Sequence, residues 1–208
     1  MSDEDRRTHW DNAYASKGEA GVSWFEDAPA VSFDLIRQCV AIADASLIDI
    51  GGGASRLVDK LLGEGMRAIT VLDLSPAALS AAKARLGTRG DDVEWIAADV
   101  TEWRPARSYD VWHDRAAFHF LTEPDDRAAY IDRLHAAVKP GGHAIIATFA
   151  LDGPERCSGL PVVRYDPATL AGLIGPSFRL VEERRHIHAT PSGSTQAFQF
   201  SVLQRVTR

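Results

Sequence analysis

The feature that most constrains this chain is the junction "SLIDIGGGASRLVDKLL", residues 46–62, where a short apolar run passes through three glycines into a segment of helical period. Five apolar-rich residues bounded by glycine read as a buried strand, and the spacing beyond them as a helix over 54–65, closed by Gly63 and Gly65. "RAITVLDL" (67–74) restores the strand pattern, which makes the unit βαβ with its two strands parallel. The alternation continues. Ser75 caps a helix over 75–87 with Pro76 in its first turn and Gly87 as its stop, and "VEWIAADV" (93–100) is a third strand. "SYDVWHD" (108–114) and "HAIIATFA" (143–150) are two more, separated by a helix over 123–142 that Pro140 and its glycines end. This order predicts an α/β fold, doubly wound, with helices on both faces of a mostly parallel sheet.

After a Gly- and Pro-rich loop (151–166) come a short helix (167–175) and two strand-like runs (178–190 and 195–206) joined by "PSGS", an antiparallel hairpin at the sheet edge. Residues 1–45 add an aromatic-rich stretch and one helix, "PAVSFDLIRQCVAIAD". With 208 residues, 45% of them hydrophobic, the chain can bury one sizeable core, and the expectation is a single domain over 1–208: leader and helix to 45, core 46–150, loop and hairpin 151–208. The net charge of −6 disfavours a nucleic-acid partner, which needs clustered Lys and Arg. The leader lacks a signal-peptide core and no run approaches about 18 apolar residues, so a soluble, cytoplasmic protein without a membrane partner is expected. Cys39 and Cys157 have no CxxC spacing and the seven histidines no HExxH, so no metal is expected; the oligomeric state stays open.

Glycines between a strand and a helix allow a tight turn and close backbone approach to a ligand, while the helix start offers free N–H groups. The dinucleotide fingerprint GxGxxG fails, because Arg56 stands where the third glycine belongs, and no phosphate-cradling GxxxxGK[ST] occurs. What remains is acidic. Asp73, ending the second strand, can accept from both ribose hydroxyls of an adenosine; Asp99, ending the third, can accept from the adenine amine; Asp49 can meet a positive group over the glycines. Three acids with no Lys or Arg for phosphate describe an adenosine ligand that is cationic rather than anionic.

Together "LIDIGGGAS", "VLDLSP", "AADV", "YDVWHDRAAFHFL" and "KPGGHAIIATF" resemble the successive motifs of class I S-adenosylmethionine-dependent methyltransferases over about residues 46–150. The resemblance implies a Rossmann-like, seven-stranded, mostly parallel sheet whose last strand is inserted antiparallel in a C-terminal hairpin, with S-adenosyl-L-methionine as cofactor. It implies that Gly51, Gly52, Gly53 and Ser55 pass the methionine part, that Asp49 and His113 lie near it, that Asp73 with Leu74 holds the ribose, and that Asp99 with Val100 lines the adenine. The leader "HWDNAYASKGEAGVSWFEDAPAVSFDLI" is similar to that of a bacterial small-molecule branch and, more loosely, of the thiol, thiopurine and halide methyltransferases. By that analogy Trp10, Tyr14, Trp24 and Phe25 form a lid; packing on the sheet edge is the alternative.

In-line transfer from a sulfonium requires alignment and exclusion of water, and a thiol needs less help from a base than an amine or hydroxyl. His113, Asp114, Arg115 and His119 follow the fourth strand on the family's substrate side, as candidate catalytic groups for taking a proton or, for Arg115, holding an anionic nucleophile. Their alternatives are an Asp114–Arg115 pair that fixes the loop and a packed His119. The loop "RCSGLPVVRYD" could bring Cys157, Arg164 and Tyr165 to the same mouth, and His186 and His188 share one face of a late strand. With no NPPY-type tetrad, the expected acceptor is a small molecule, best a small thiol or sulfide. The rivals are a protein lysine and a cofactor-binding sensor without turnover.

Overall fold

Residues 3–207, those described by the computed structural model of the protein, begin with a helix that the sequence pattern did not indicate. Helix α1 spans Asp3–Gly21, kinked at Gly18, and α2 spans Ala30–Cys39. The residues of α1 are mostly polar, so tertiary contacts hold it: the Ser75 hydroxyl donates to Asp11 at 2.5 Å and Arg6 pairs with Asp99 at 2.9 Å. One legible signal was present, because Arg6, Trp10 and Tyr14 recur at the four-residue spacing of a single helical face.

Strands β1 (Ser46–Ile50), β2 (Ala68–Asp73) and β3 (Val93–Ala97) alternate with helices α3 (Leu57–Gly63) and α4 (Pro76–Leu86) as the pattern required. Ser75 caps α4 by accepting from the Ala78 N–H at 3.1 Å. Helix α3 is shorter than expected, since Gly52–Ser55 form turns before it, and 98–100 lie beyond β3. Strand β4 (Tyr109–Arg115) leads through α5 (Pro124–Ala137) to β5 (Val138–Phe149). Pro140 and its glycines therefore do not end the helix; they lie in β5. Partner pairs there jump from Tyr109↔Val138 to Val111↔His143, an irregularity that accommodates a proline without a ladder N–H.

Residues 151–166 carry a two-stranded ribbon, β6 (Arg156–Cys157) and β7 (Leu160–Pro161), followed by α6 (Pro167–Ile174), β8 (Phe178–Ala189) and β9 (Thr195–Arg205). The seven-stranded order is β3-β2-β1-β4-β5-β9-β8, with β9 antiparallel to both neighbours. Of the hairpin's two strands only β8 is at the edge; β9 is inserted beside β5, as the family resemblance implied.

Apolar side chains cover both faces. Leu35, Leu61 and Leu79, from α2, α3 and α4, pack with Val71, Val111 and Phe149, while Tyr130, Leu134 and Leu170, from α5 and α6, pack with Trp112 and Ile146. Each fully buried leucine-sized side chain contributes about 1.5–3 kcal/mol. The alternation along β4 sends Val111, His113 and Arg115 to the α2 side and Trp112 and Asp114 to the α5 side, which decides what each polar group can meet. No helix among the described residues is long and apolar enough to cross a membrane.

Candidate active site

The carboxyl ends of β1, β2 and β4 converge on the glycine loop. Gly51 has φ +65° and Gly53 φ +46°, the left-handed region that glycine enters without penalty. Space is restricted as well. A Cβ on Gly51 would lie 2.8 Å from the Ala117 Cβ, and one on Gly53 would lie 2.7 Å from the Tyr14 hydroxyl and 2.9 Å from Asp73 Oδ2. The missing side chains let Asp73 and α1 close on the same stretch of backbone.

Asp73 is buried and accepts the Ser75 N–H at 2.7 Å. Loss of solvent pushes its pKa up to about 7, and the neighbouring Asp49 adds to the rise while the Ser75 and Gly53 N–H groups oppose it. Asp99 accepts from the Thr101 N–H and hydroxyl through Oδ1, at 2.8 and 2.7 Å, and its Oδ2 pairs with Arg6. The group that sequence reasoning reserved for an adenine amine thus already shares its carboxylate with a cation from α1. Asp49 lies beneath the loop and meets His113 Nδ1 at 2.6 Å.

Two cavities border this loop. The larger, with about 930 Å³ of empty space partly open to solvent, runs from Asp73, Leu74, Asp99 and Val100 to Cys157 and Phe198. From β2 to β9 there are four strand steps, or roughly 19 Å at about 4.8 Å per step. Trp10, Tyr14 and Trp24 wall it: Trp10 meets Trp24 and Phe120 edge-on at 5.5 and 4.9 Å, and Trp24 Nε1 donates to the Tyr14 hydroxyl at 3.2 Å. The smaller, about 540 Å³, is lined by Asp49, Gly52, Ser55 and His113, with Ser32 and Phe25 across from them. Gly51 and Arg115 border both. Of the four aromatics expected to form a lid, only Phe25 is absent from the larger cavity.

The four catalytic candidates separate. His113 is held at both nitrogens, by Asp49 and by Ser32 Oγ at 2.9 Å, and faces only the smaller cavity. Asp114 points to the opposite face, where it accepts the Tyr130 hydroxyl at 2.7 Å and the Ala117 and Phe118 N–H groups. Burial pushes its pKa up to about 6. Asp114 fixes the turn after β4, where Ala116 has φ +71°, rather than pairing with Arg115. His119 is fully buried against Phe120 and Phe149, outside both linings, and burial lowers its pKa to about 3. Arg115 alone of the four reaches the larger cavity.

Arg115 is almost fully buried, ion-paired to Glu26 at 3.0 Å, and donates to the Trp24 carbonyl at 2.9 Å. Cys157 also reaches the larger cavity, whereas Arg164 turns to Gly153 and Glu155 and Tyr165 packs on Phe118. His186 and His188 converge on Glu26, at 3.7 and 3.5 Å, so three side chains able to ligate a metal come together where no metal was expected. The guanidinium of Arg115 at the same carboxylate oxygen opposes a second cation there. Sequence reasoning missed Arg6, Glu26, Phe120 and Phe198; apart from the α1 spacing, nothing local marks them.

Residues 47–142 match the family described as "Methyltransferase domain". Among curated relatives, the chain is 25% identical over 126 residues to the tRNA U34 carboxymethyltransferase of Shewanella pealeana, covering 60% of this chain and 37% of the relative. It is 28% identical over 111 residues to the malonyl-[acyl-carrier protein] O-methyltransferase of a Paenibacillus species, covering 51% and 39%. The matched stretch thus spans less than half of these relatives' length. Among solved structures, a SAM-dependent methyltransferase from Anabaena variabilis superposes with a TM-score of 0.75 at 14% identity, covering 98% of this chain and 94% of that one. The 1,6-didemethyltoxoflavin-N1-methyltransferase of Burkholderia thailandensis, solved with S-adenosylhomocysteine, gives 0.65 at 22% identity, covering 99% and 91%.

Proposed function

We propose that this chain, which carries the class I S-adenosylmethionine-dependent methyltransferase fold, transfers a methyl group from that cofactor to a small acceptor, with a thiol or sulfide as the best nucleophile. The residues fit the cofactor. The cramped loop at Gly51 and Gly53 and the buried carboxylate of Asp73 leave room and acceptors for a nucleoside, and no phosphate-type cradle competes. In this reading Asp73 would hold the ribose, Leu74 and Val100 would line the adenine, and Asp49, Ser55 and His113 would stand near the methionine part. S-adenosylmethionine supplies an electrophilic methyl on a cationic sulfur. The rings of Trp10, Trp24 and Phe120 would favour that cation and exclude water around it.

The observation that carries the sulfur reading is the absence of a free base from the larger cavity among the described residues. His113, Asp114 and His119 are committed elsewhere, Asp99 is paired, and Asp73 belongs to the ribose. Such a cavity suits a nucleophile that reaches neutral pH partly as an anion, and a thiol does so without assistance. With the cofactor bound, the methyl would pass to the acceptor sulfur while the carbon–sulfonium electron pair stayed with the cofactor sulfur; the thiol proton would already have gone to solvent. The test is release of S-adenosylhomocysteine with sulfide, methanethiol, amines and a protein extract offered separately. Turnover with the thiols supports the reading; turnover with amines or extract alone overturns it, and cofactor binding with no turnover on any acceptor makes the protein a sensor.

A further inference from the structure

We propose that Arg115 anchors a carboxylate carried by the acceptor, so that the preferred substrates are short thiol acids; this rests on the sulfur reading above. The location comes first. Arg115 ends β4, and its guanidinium carbon lies 4.7 Å over the Phe198 ring, at the β9 side of the larger cavity and across the sheet from Asp73 on β2. With a nucleoside over β2 and β3, Arg115 stands on the acceptor side.

Its donors come second. Nη1 is used by the Trp24 carbonyl; of the other two, Nη2 is ion-paired with Glu26 and the buried Nε has no hydrogen-bond partner among the described residues. Those two nitrogens share the edge of the guanidinium that receives a carboxylate in fork geometry. The Glu26 Oε1 that pairs with Nη2 at 3.0 Å is shared: His188 Nδ1 and His186 Nε2 face the same oxygen. Burial also works against the charge on Arg115, so an anion that pairs with it is favoured.

The walls set the rest of the acceptor. Besides Arg115 the cavity presents Phe120, Phe198, Cys157 and Trp10, which offer apolar contact, while its other cation, Arg6, is paired with Asp99. A compact apolar linker with a nucleophile at one end and a carboxylate at the other matches that lining.

The experiment compares 3-mercaptopropionate with its methyl ester, which share a nucleophile and differ in charge, by S-adenosylhomocysteine release. Calorimetry of 3-(methylthio)propionate and its ester, on protein saturated with S-adenosylhomocysteine, reads the anchor without turnover. The expected preference for the acid is roughly 10- to 100-fold in kcat/KM, carried by KM, the range set by charge-assisted hydrogen bonds. Arg115→Lys, which keeps the charge and loses the fork, brings the acid-to-ester ratio toward one. Equal or better use of the ester overturns the anchor while leaving sulfur methylation standing. A full acid preference in Arg115→Lys also overturns it, as does a loss of S-adenosylhomocysteine affinity equal to the loss of acid preference, which would give Arg115 to the cofactor's own carboxylate. Selective binding of the acid with no thiol turned over sinks the sulfur reading and supports the anchor. If Arg115→Lys does not fold, the acid–ester comparison on the unaltered protein decides alone.

Discussion

Replacing Asp73 with Asn should stabilise the protein above neutral pH while weakening the cofactor binding proposed for this residue. The carboxyl is buried, and burial raises its pKa from the usual 3.8 to about 7. A raised carboxylate binds its proton more tightly folded than unfolded, so its favourable contribution is complete below the unfolded value and is lost as pH rises toward 7. A gap of about three pH units at 1.36 kcal/mol each makes the ionised group cost the fold about 4 kcal/mol at pH 8. Asn carries no such cost. It keeps an oxygen for the Ser75 N–H but turns an amide toward Gly53, losing a hydrogen bond of about 1–1.5 kcal/mol. The net gain is about 2–3 kcal/mol, or roughly 5–10 °C in Tm for a chain of this size, at pH 8 and not at pH 4.

With Asp73 as the proposed ribose acceptor, the same substitution should cost roughly 10- to 100-fold in S-adenosylhomocysteine affinity. In the unaltered protein that affinity should fall about tenfold from pH 8 to pH 6, as the fraction of ionised Asp73 falls from about nine tenths to one tenth. Thermal scans at pH 4 and 8 and calorimetry at pH 6, 7 and 8 cover both arms. An Asp73→Asn protein that melts lower at pH 8 refutes the desolvation argument; undiminished affinity refutes the ribose assignment.

Gly53→Ala forces a side chain into left-handed backbone against Tyr14 and Asp73, and should cost about 1–3 kcal/mol in denaturant unfolding together with most cofactor affinity. His119→Ala should lower stability by about 2–4 kcal/mol yet leave the rate per folded molecule near its original value; a lost rate at unchanged Tm would return His119 to the chemistry. With a His119 pKa near 3, rate profiles between pH 5 and 8 should contain no step from this ring. Trp10→Ala should reduce kcat more than S-adenosylhomocysteine affinity if the proposed acceptor end lies where its ring packs on Phe120; an affinity loss alone would make Trp10 part of the nucleoside site.

The βαβ order, the glycine loop and the acids ending the strands were determined by the sequence, because each depends on neighbours within a few residues: apolar period, capping by Ser75, positive φ at Gly51 and Gly53. Asp73 could be singled out from that alone, although its proton affinity is a property of the folded surroundings. The insertion of β9 between β5 and β8 came only through family resemblance, since two strand-like runs joined by a turn read the same at an edge or inside a sheet.

The roles of His113, Asp114, Arg115 and His119 were decided by tertiary structure. These residues lie within seven positions of one another, yet their partners are Ser32, Tyr130, Glu26 and Phe149, brought in from four other parts of the chain. Strand alternation sends neighbouring residues to opposite faces, and what covers each face is set by elements remote in sequence. The same holds for α1, whose polar helix finds its stability in Asp99 and Ser75 rather than in its own residues. Local rules supply the loop and the acids beside it; long-range packing leaves one guanidinium at the larger cavity and withdraws the other three groups from it.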